Sequence, residues 1–151
     1  MKRINITKYF KFAKKTFMQF VIRQMDTESF QSRFASEEEC LKFLAEQKWE
    51  NGYTCRKCGH TNYCSGKTPY SRRCTRCKHE ESARSHTIFH RCHIPITEAF
   101  RIVYIVCHDP KVSTYELSRK IEMRQMTCWK LKAKLMECLE QRGEIDVLFE
   151  K

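Results

Sequence analysis

The stretch CRKCGHTNYCSGKTPYSRRCTRC, residues 55–77, decides the fold of this 151-residue chain because its cysteines are spaced as metal ligands. Two C-x2-C pairs stand at its ends, fifteen residues apart, and they comprise Cys55, Cys58, Cys74 and Cys77. Each pair forms a turn tight enough to aim two sulfurs at one ion, and Gly59 supplies the backbone freedom that such a turn requires. Four thiolates complete a closed tetrahedral site, which predicts one structural Zn²⁺ ion.

Other uses of these cysteines fit the pattern less well. A thioredoxin-like redox pair stands at the start of a helix after a strand, whereas both pairs here are flanked by Lys and Arg. A catalytic zinc site keeps one coordination position open, which four thiolates do not. Because the site is already full, the other candidate ligands nearby are assigned to packing or solvent: His60, Cys64 and His79.

The sequence shows no signal for export or membrane insertion. Lysines interrupt the apolar residues that follow Met1, so the N-terminus does not have the pattern of a secretory signal. The longest apolar run, residues 102–107, is much shorter than a membrane span. The ten cysteines are therefore expected in a reducing compartment, and the sequence predicts a cytoplasmic protein without a membrane partner.

Positive charge is concentrated in two segments. The net charge is +11; residues 1–25 contain seven Lys or Arg and no acid, and residues 51–94 contain nine against two acids. A soluble chain this basic usually has a polyanion as its partner. No acid occurs from Tyr53 to Lys78, and the seven cations of this stretch are predicted to contact phosphates: Arg56, Lys57, Lys67, Arg72, Arg73, Arg76 and Lys78.

The segment before the cysteines predicts a single short helix. Ser36 and Glu39 have the spacing of a capping box. The apolar residues that follow fall on one helical face: Cys40, Leu41, Phe43, Leu44 and Trp49. Residues 1–27 interleave Phe with Lys and predict a basic arm, while the change of composition at Met25 leaves open an internal start there.

Residues 93–142 have the periodicity of three helices. In the first, Pro95 fits the first helical position, and the buried stripe comprises Ile96, Phe100, Val103 and Cys107. Ser113 or Thr114 is predicted to cap the second helix, whose apolar members are Tyr115, Leu117 and Ile121.

The third helix is predicted to run to about Gln141, before Gly143. Its buried stripe comprises Cys128, Leu131, Leu135 and Cys138. Its polar flank comprises Met126, Thr127, Lys130 and Lys134. Two helices, a tight turn and a third helix with a basic flank form a helix-turn-helix pattern, although any three-helix bundle has apolar stripes.

Together these patterns predict an α+β fold, in which a small zinc ribbon of short antiparallel strands precedes a three-helix bundle. The predicted divisions are a basic arm at 1–27, a short helix at 28–50, the zinc ribbon at 51–92, the helix-turn-helix at 93–142 and a tail at 143–151.

The order of these motifs resembles the N-terminal region of bacterial insertion-sequence transposases of the transposase zinc-ribbon family. The matching residues cover about 28–140 and include SEEECLKFLAEQKWENGYTCRKCGH, YSRRCTRCKHE, HTIFHRCHIPITEAF and VSTYELSRKIEMRQMTCWKLKAKL. The resemblance implies that the four paired cysteines bind zinc and that the helix beginning near Arg124 is the recognition helix. The contacts to DNA expected from that helix are Arg124, Gln125, Thr127, Lys130 and Lys134.

The chain departs from the family pattern at three points. Glu122 stands in the turn before the recognition helix where glycine is usual, and His86 stands where glycine is expected before the TIF segment. The chain also stops at Lys151, whereas the family performs transposition with a following ribonuclease-H-like domain. The resemblance therefore implies DNA binding without strand transfer, and no enzymatic activity is expected.

The sequence thus predicts a zinc-dependent, sequence-specific protein that binds duplex DNA, either alone or with a separately encoded catalytic transposase subunit. One rival is a complete transposase or nuclease, although the acids fall in helix-capping and surface patterns. The other rival is a zinc-ribbon adaptor or transcriptional regulator that binds RNA or protein.

Overall fold

The computed structural model describes residues 22–149 of the chain. Its elements occur in the order α1 (Thr27–Arg33), α2 (Glu37–Lys48), β1 (Tyr63–Ser65), β2 (Arg72–Cys74), β3 (Glu80–Glu81), α3 (Ile96–His108), α4 (Thr114–Ile121) and α5 (Gln125–Arg142). A small sheet and clustered cysteines therefore stand between helices, which confirms the predicted α+β class. None of the helices within the described range is long and apolar enough to cross a membrane.

Two helices, and not one, occupy residues 28–50. Asp26 caps α1 by accepting a hydrogen bond from the Ser29 N–H at 2.7 Å. Ser36 caps α2 by accepting one from the Glu39 N–H at 3.3 Å, as predicted from the capping pattern. The break between them lies at Phe34, whose ring is buried in the core. The segment predicted as one short helix at 28–50 is therefore divided at Phe34, just before the Ser36 cap.

The three strands form an antiparallel sheet in the order β1-β2-β3. Tyr63 pairs with Cys74 across β1 and β2, and Arg73 pairs with Glu80 across β2 and β3. The strands are only two or three residues long. A sheet this small buries little apolar surface, so it requires additional stabilisation of the kind that a metal ion provides.

The three helices of the C-terminal half begin and end close to the predicted positions. Ser113 caps α4 with a complete capping box that includes Glu116. Gly143 ends α5 in the left-handed conformation, with φ at +73°. Pro95 is the cap residue of α3 and not its first helical residue. Tyr115 was predicted to be an apolar packing residue of α4, but its side chain is 58% exposed.

Both residues that replace an expected glycine adopt the conformation that glycine favours. The φ angle is +57° at Glu122 and +55° at His86. A side chain in this region is strained because its Cβ approaches the following carbonyl oxygen, a cost of about 1–2 kcal/mol. The turn before α5 therefore keeps its left-handed geometry in spite of the substitution.

One hydrophobic core connects the N-terminal helices to the C-terminal bundle. The ring of Phe34 lies 5.4 Å from that of Phe43 and 5.0 Å from that of Phe100, measured between centroids. Ile22 is fully buried in this core, so part of the segment predicted as a basic arm is packed. Residues 1–21 of that arm lie outside the described residues, and an internal start at Met25 stays a hypothesis.

The segment predicted as a tail also belongs to the core. Ile145, Val147 and Phe149 are buried. The Val147 carbonyl accepts a hydrogen bond of 2.8 Å from the N–H of Ile88, which follows β3. The chain after α5 therefore packs beside the segment that follows β3 and connects it to the C-terminal helices.

Candidate metal centre

The four predicted zinc ligands converge on one point. The sulfurs of Cys55, Cys58, Cys74 and Cys77 all lie within 4.8 Å of one another. The Cys55 and Cys77 sulfurs are 3.5 Å apart, and those of Cys58 and Cys74 are 3.6 Å apart. With Zn–S bonds of about 2.3 Å, the edge of a tetrahedral site is about 3.8 Å. The donor set and its dimensions fit a structural Zn²⁺ ion.

The two C-x2-C turns have the same backbone geometry. In the first, the Gly59 N–H donates to the Cys55 carbonyl at 2.8 Å; in the second, the Lys78 N–H donates to the Cys74 carbonyl at 3.1 Å. Both donors are in the left-handed region, with φ at +74° and +64°. Each turn is thus a closed loop that directs both of its cysteines to the same side, which is the property that the sequence spacing predicts.

The surroundings of the sulfurs promote thiolate formation at two of the four positions. Burial acts to raise the pKa of Cys55, but the N–H groups of Cys58 and Lys57 and the nearby thiols outweigh it and lower that pKa to about 6. Burial is likewise outweighed at Cys74, whose pKa is lowered by main-chain N–H groups of its own turn. Thiolates are the form that binds zinc.

Cys77 differs from Cys55 and Cys74 because its surroundings raise the pKa of its thiol. A main-chain N–H acts to lower its pKa, but burial and the three neighbouring sulfurs raise that pKa to about 11. Negative charge already present on the neighbouring sulfurs disfavours a further thiolate. A divalent cation at the centre removes this repulsion, so metal binding and deprotonation of the last ligand are linked.

Tyr53 places a buried hydroxyl beside the cysteine cluster. Within the described part of the chain, its hydroxyl is the buried side-chain oxygen or nitrogen atom that lacks a hydrogen-bond partner. Burial and then the adjacent Cys55 thiol raise the pKa of Tyr53, so the phenol keeps its proton beside that sulfur. A metal-bound thiolate at Cys55 accepts hydrogen bonds and would satisfy this buried donor.

The residues set aside as non-ligands lie outside the cluster. His60 and His79 contribute main-chain carbonyls that accept hydrogen bonds of 2.8 Å from the N–H groups of Cys55 and Cys74. Cys64 is exposed on β1, and its thiol donates to the Arg73 carbonyl at 3.6 Å. Their assignment to packing or solvent agrees with this arrangement.

The predicted phosphate-binding cations of the ribbon divide into two groups. Arg56 forms an ion pair of 3.3 Å with Glu81. The Arg72 guanidinium lies over two aromatic rings, 4.5 Å from the centroid of Trp49 and 4.1 Å from that of Tyr63. These two cations hold the ribbon together. Arg56 is nevertheless 51% exposed, and Arg72 is half-buried. Of the other cations, Lys57, Lys67 and Arg76 are exposed and Arg73 is half-buried.

The residues predicted to contact DNA from α5 divide in the same way. Lys134 is half-buried, and its amine donates to the His90 carbonyl at 2.7 Å. Thr127 is also half-buried, at the edge of a groove of about 570 Å³ between α5 and residues 91–94. The predicted contacts that face solvent are Arg124, Gln125 and Lys130.

Trp129 is an exposed residue of α5 that is not among the DNA contacts predicted from the sequence. Its side chain is 54% exposed and it lines the groove together with Lys130 and Ala133. The signal was present, because Trp129 falls opposite the stripe that contains the buried Leu131 and Leu135. A large aromatic side chain on the polar face of a helix is an informative exception.

Comparison with known families supports the interpretation of the ribbon. Residues 35–80 match the family model described as transposase zinc-ribbon domain. The match includes α2, the three strands up to Glu80 and all four clustered cysteines, and it confirms the resemblance for this part of the chain. No curated protein and no solved structure matches the chain.

Proposed function

We propose that this chain, whose residues 35–80 form a transposase-type zinc ribbon, binds duplex DNA in a sequence-specific manner. The observation that supports this most directly is the composition of the first half of α5. Its solvent-exposed surface contains no acidic residue. From Met123 to Met136 the only charged side chains are Arg124, Lys130, Lys132 and Lys134. A helix surface of this composition is suited to a polyanion.

The position of α5 in the bundle supports the same conclusion. α4 ends at Ile121 and α5 begins at Gln125, so the two helices are joined by a three-residue turn. Both pack against α3. This arrangement supports assigning the bundle as a helix-turn-helix unit, a motif that places its second helix in the major groove and uses the N-terminal residues of that helix to reach base edges.

The lysines of α5 perform two different tasks. The amines of Lys132 and Lys134 donate to main-chain carbonyls of Val112 and His90, and so fix α5 against the loops on either side. Lys130 is exposed, unlike Lys132 and Lys134, and so is Arg124 at the start of the helix. We infer that the first pair positions the helix, and that Arg124 and Lys130 contact the nucleic acid.

The ribbon is proposed to contact the phosphate backbone beside the helix. Lys57 and Arg76 are exposed in the two cysteine turns, next to the metal site. Zinc fixes these turns and therefore fixes the positions of their cations. Such contacts add affinity and orientation but no base preference, because phosphates are the same at every base pair. The role proposed for these residues is binding, not cleavage.

Selection from a randomised duplex pool, followed by titration at several salt concentrations, tests this proposal. Zinc-loaded protein should enrich a consensus sequence, and the logarithm of its affinity should fall linearly with the logarithm of salt concentration. Arg76→Ala should make this slope shallower by about one unit for all sequences alike. Failure to bind any duplex at low salt would refute the proposal. Supercoiled DNA with Mg²⁺ tests for cleavage in parallel.

The groove beside α5 favours one alternative, an adaptor that binds protein. Its walls include Ile94 and Ala133, with Trp129 at its edge. Clefts with apolar walls and an exposed aromatic residue are typical of protein-binding surfaces. Competition experiments separate the alternatives: a DNA-binding protein prefers the selected duplex over structured RNA, whereas an adaptor binds neither with sequence preference.

A further inference from the structure

Two large apolar side chains are exposed on the outer face of α5. The side chain of Met126 is 63% exposed and that of Trp129 is 54% exposed. With the exposed Ala133 they have the spacing i, i+3, i+7, which places them in one row along a helix. The row lies opposite the stripe that packs into the core, so its side chains are open to solvent, and Trp129 and Ala133 also border the groove beside residues 91–94.

The neighbours of this row are cationic or polar. Gln125, Arg124 and Lys130 are exposed beside it. The first acid of the helix is Glu137, four residues beyond Ala133. An apolar row bordered by cations complements a surface that is anionic at its edges and has apolar groups in its centre. The major groove of DNA is such a surface, because phosphates line it and thymine methyl groups project from its floor.

We propose that Met126 and Trp129 determine sequence preference by contacting the methyl groups of thymine in the major groove. This inference rests on the proposed function, since it requires α5 to lie in that groove. Gln125 belongs to the same surface, and a glutamine side chain pairs with the N6 and N7 atoms of adenine. One helix surface thus offers partners for both bases of a T·A pair, and the preferred sites should be rich in such pairs.

Replacing thymine by deoxyuridine tests the inference, because deoxyuridine lacks only the 5-methyl group. The duplex selected by the protein should be prepared with thymine and with deoxyuridine at every T position. Wild-type protein should bind the deoxyuridine duplex more weakly, by about fourfold for each methyl group that it buries. Salt dependence should be the same for both duplexes, because the phosphates are unchanged.

The variants Met126→Ala and Trp129→Ala should bind the thymine duplex with reduced affinity and should lose part of the difference between the two duplexes. Tyr115→Ala is the matched control, because Tyr115 is equally exposed but belongs to α4. It should retain the full difference. Zinc content and far-ultraviolet circular dichroism establish that each variant is folded; Met126→Gln provides a second variant that keeps the length of the side chain.

The possible results separate the inference from the function on which it rests. Equal binding of the two duplexes by wild-type protein, with normal salt dependence, would overturn the inference and leave DNA binding intact. That result is also expected if the row is covered by a partner protein. The inference would likewise be refuted if both alanine variants kept the full difference in affinity between the thymine and deoxyuridine duplexes. Absence of binding to any duplex would refute both proposals.

Discussion

Lys48 and Glu81 form a buried ion pair that joins α2 to the last strand of the ribbon. The Lys48 amine lies 2.6 Å from the Glu81 carboxylate, and the two side chains are 3% and 2% exposed. The same amine donates to the carbonyls of Ser82 and Ser85, at 2.9 and 2.6 Å. Buried charges are tolerated only when they are paired and hydrogen-bonded in this way. The pair therefore fixes the orientation of the ribbon on the helical core.

Lys48→Met should destabilise the protein by about 3–5 kcal/mol, because it leaves the Glu81 carboxylate buried with only the partly exposed Arg56 as a partner. Chemical denaturation of the zinc-loaded protein measures the change. Lys42→Met is the matched control: Lys42 is exposed on the same helix, and its replacement should change stability by less than about 0.5 kcal/mol. Equal effects of the two variants would contradict a structural role for the pair.

One zinc ion per chain should bind through the four clustered cysteines, and Cys74→Ser should abolish its binding. Structural zinc contributes about 10–16 kcal/mol in small modules, so this variant should lose the fold of the ribbon. Elemental analysis and circular dichroism measure the two effects. Cys64→Ser is the control, because Cys64 is exposed and outside the cluster. Folded wild-type protein with less than half an equivalent of zinc would disprove the assignment.

Tyr53→Phe should lower zinc affinity by about 10–100-fold, since it removes the hydrogen-bond donor proposed to face the Cys55 thiolate. Competition with a chelator at fixed pH measures the affinity. Tyr63→Phe removes a hydroxyl from an exposed tyrosine of the same aromatic group and should leave affinity unchanged. If the Tyr53 hydroxyl has no acceptor even with zinc bound, its removal should instead be neutral or stabilising.

Glu122→Gly should stabilise the protein by about 0.5–1 kcal/mol. The residue is held at φ +57° and ψ +41°, where glycine avoids the strain of a side chain, although glycine also gains entropy in the unfolded chain. Thermal denaturation should show a higher midpoint. In contrast, Lys120→Gly, within α4, should be destabilising by about 1 kcal/mol. A destabilising effect at both positions would mean that Glu122 makes a favourable interaction that outweighs its strain.

The sequence by itself determined the features that depend on short segments. The spacing of Cys55, Cys58, Cys74 and Cys77 identifies the metal ligands, because a C-x2-C turn closes within its own few residues. Ser113 and Gly143 mark helix ends because capping is a local hydrogen-bonding effect. Helical periodicity is also a property of short segments, and it predicts the positions of α3, α4 and α5.

Only the tertiary structure decided which charged and apolar residues are engaged by the protein itself. The sequence does not distinguish Arg72 from Arg76, or Lys134 from Lys130. In the structure, however, Arg72 lies over two aromatic rings, and Lys134 donates a hydrogen bond to a main-chain carbonyl. Ile145, Val147 and Phe149 pack into the core, and although they alternate along the chain, that pattern does not show that the Val147 carbonyl accepts a hydrogen bond from Ile88. Such contacts join residues distant in the chain, and no local pattern encodes them because their energy arises only when the elements are assembled.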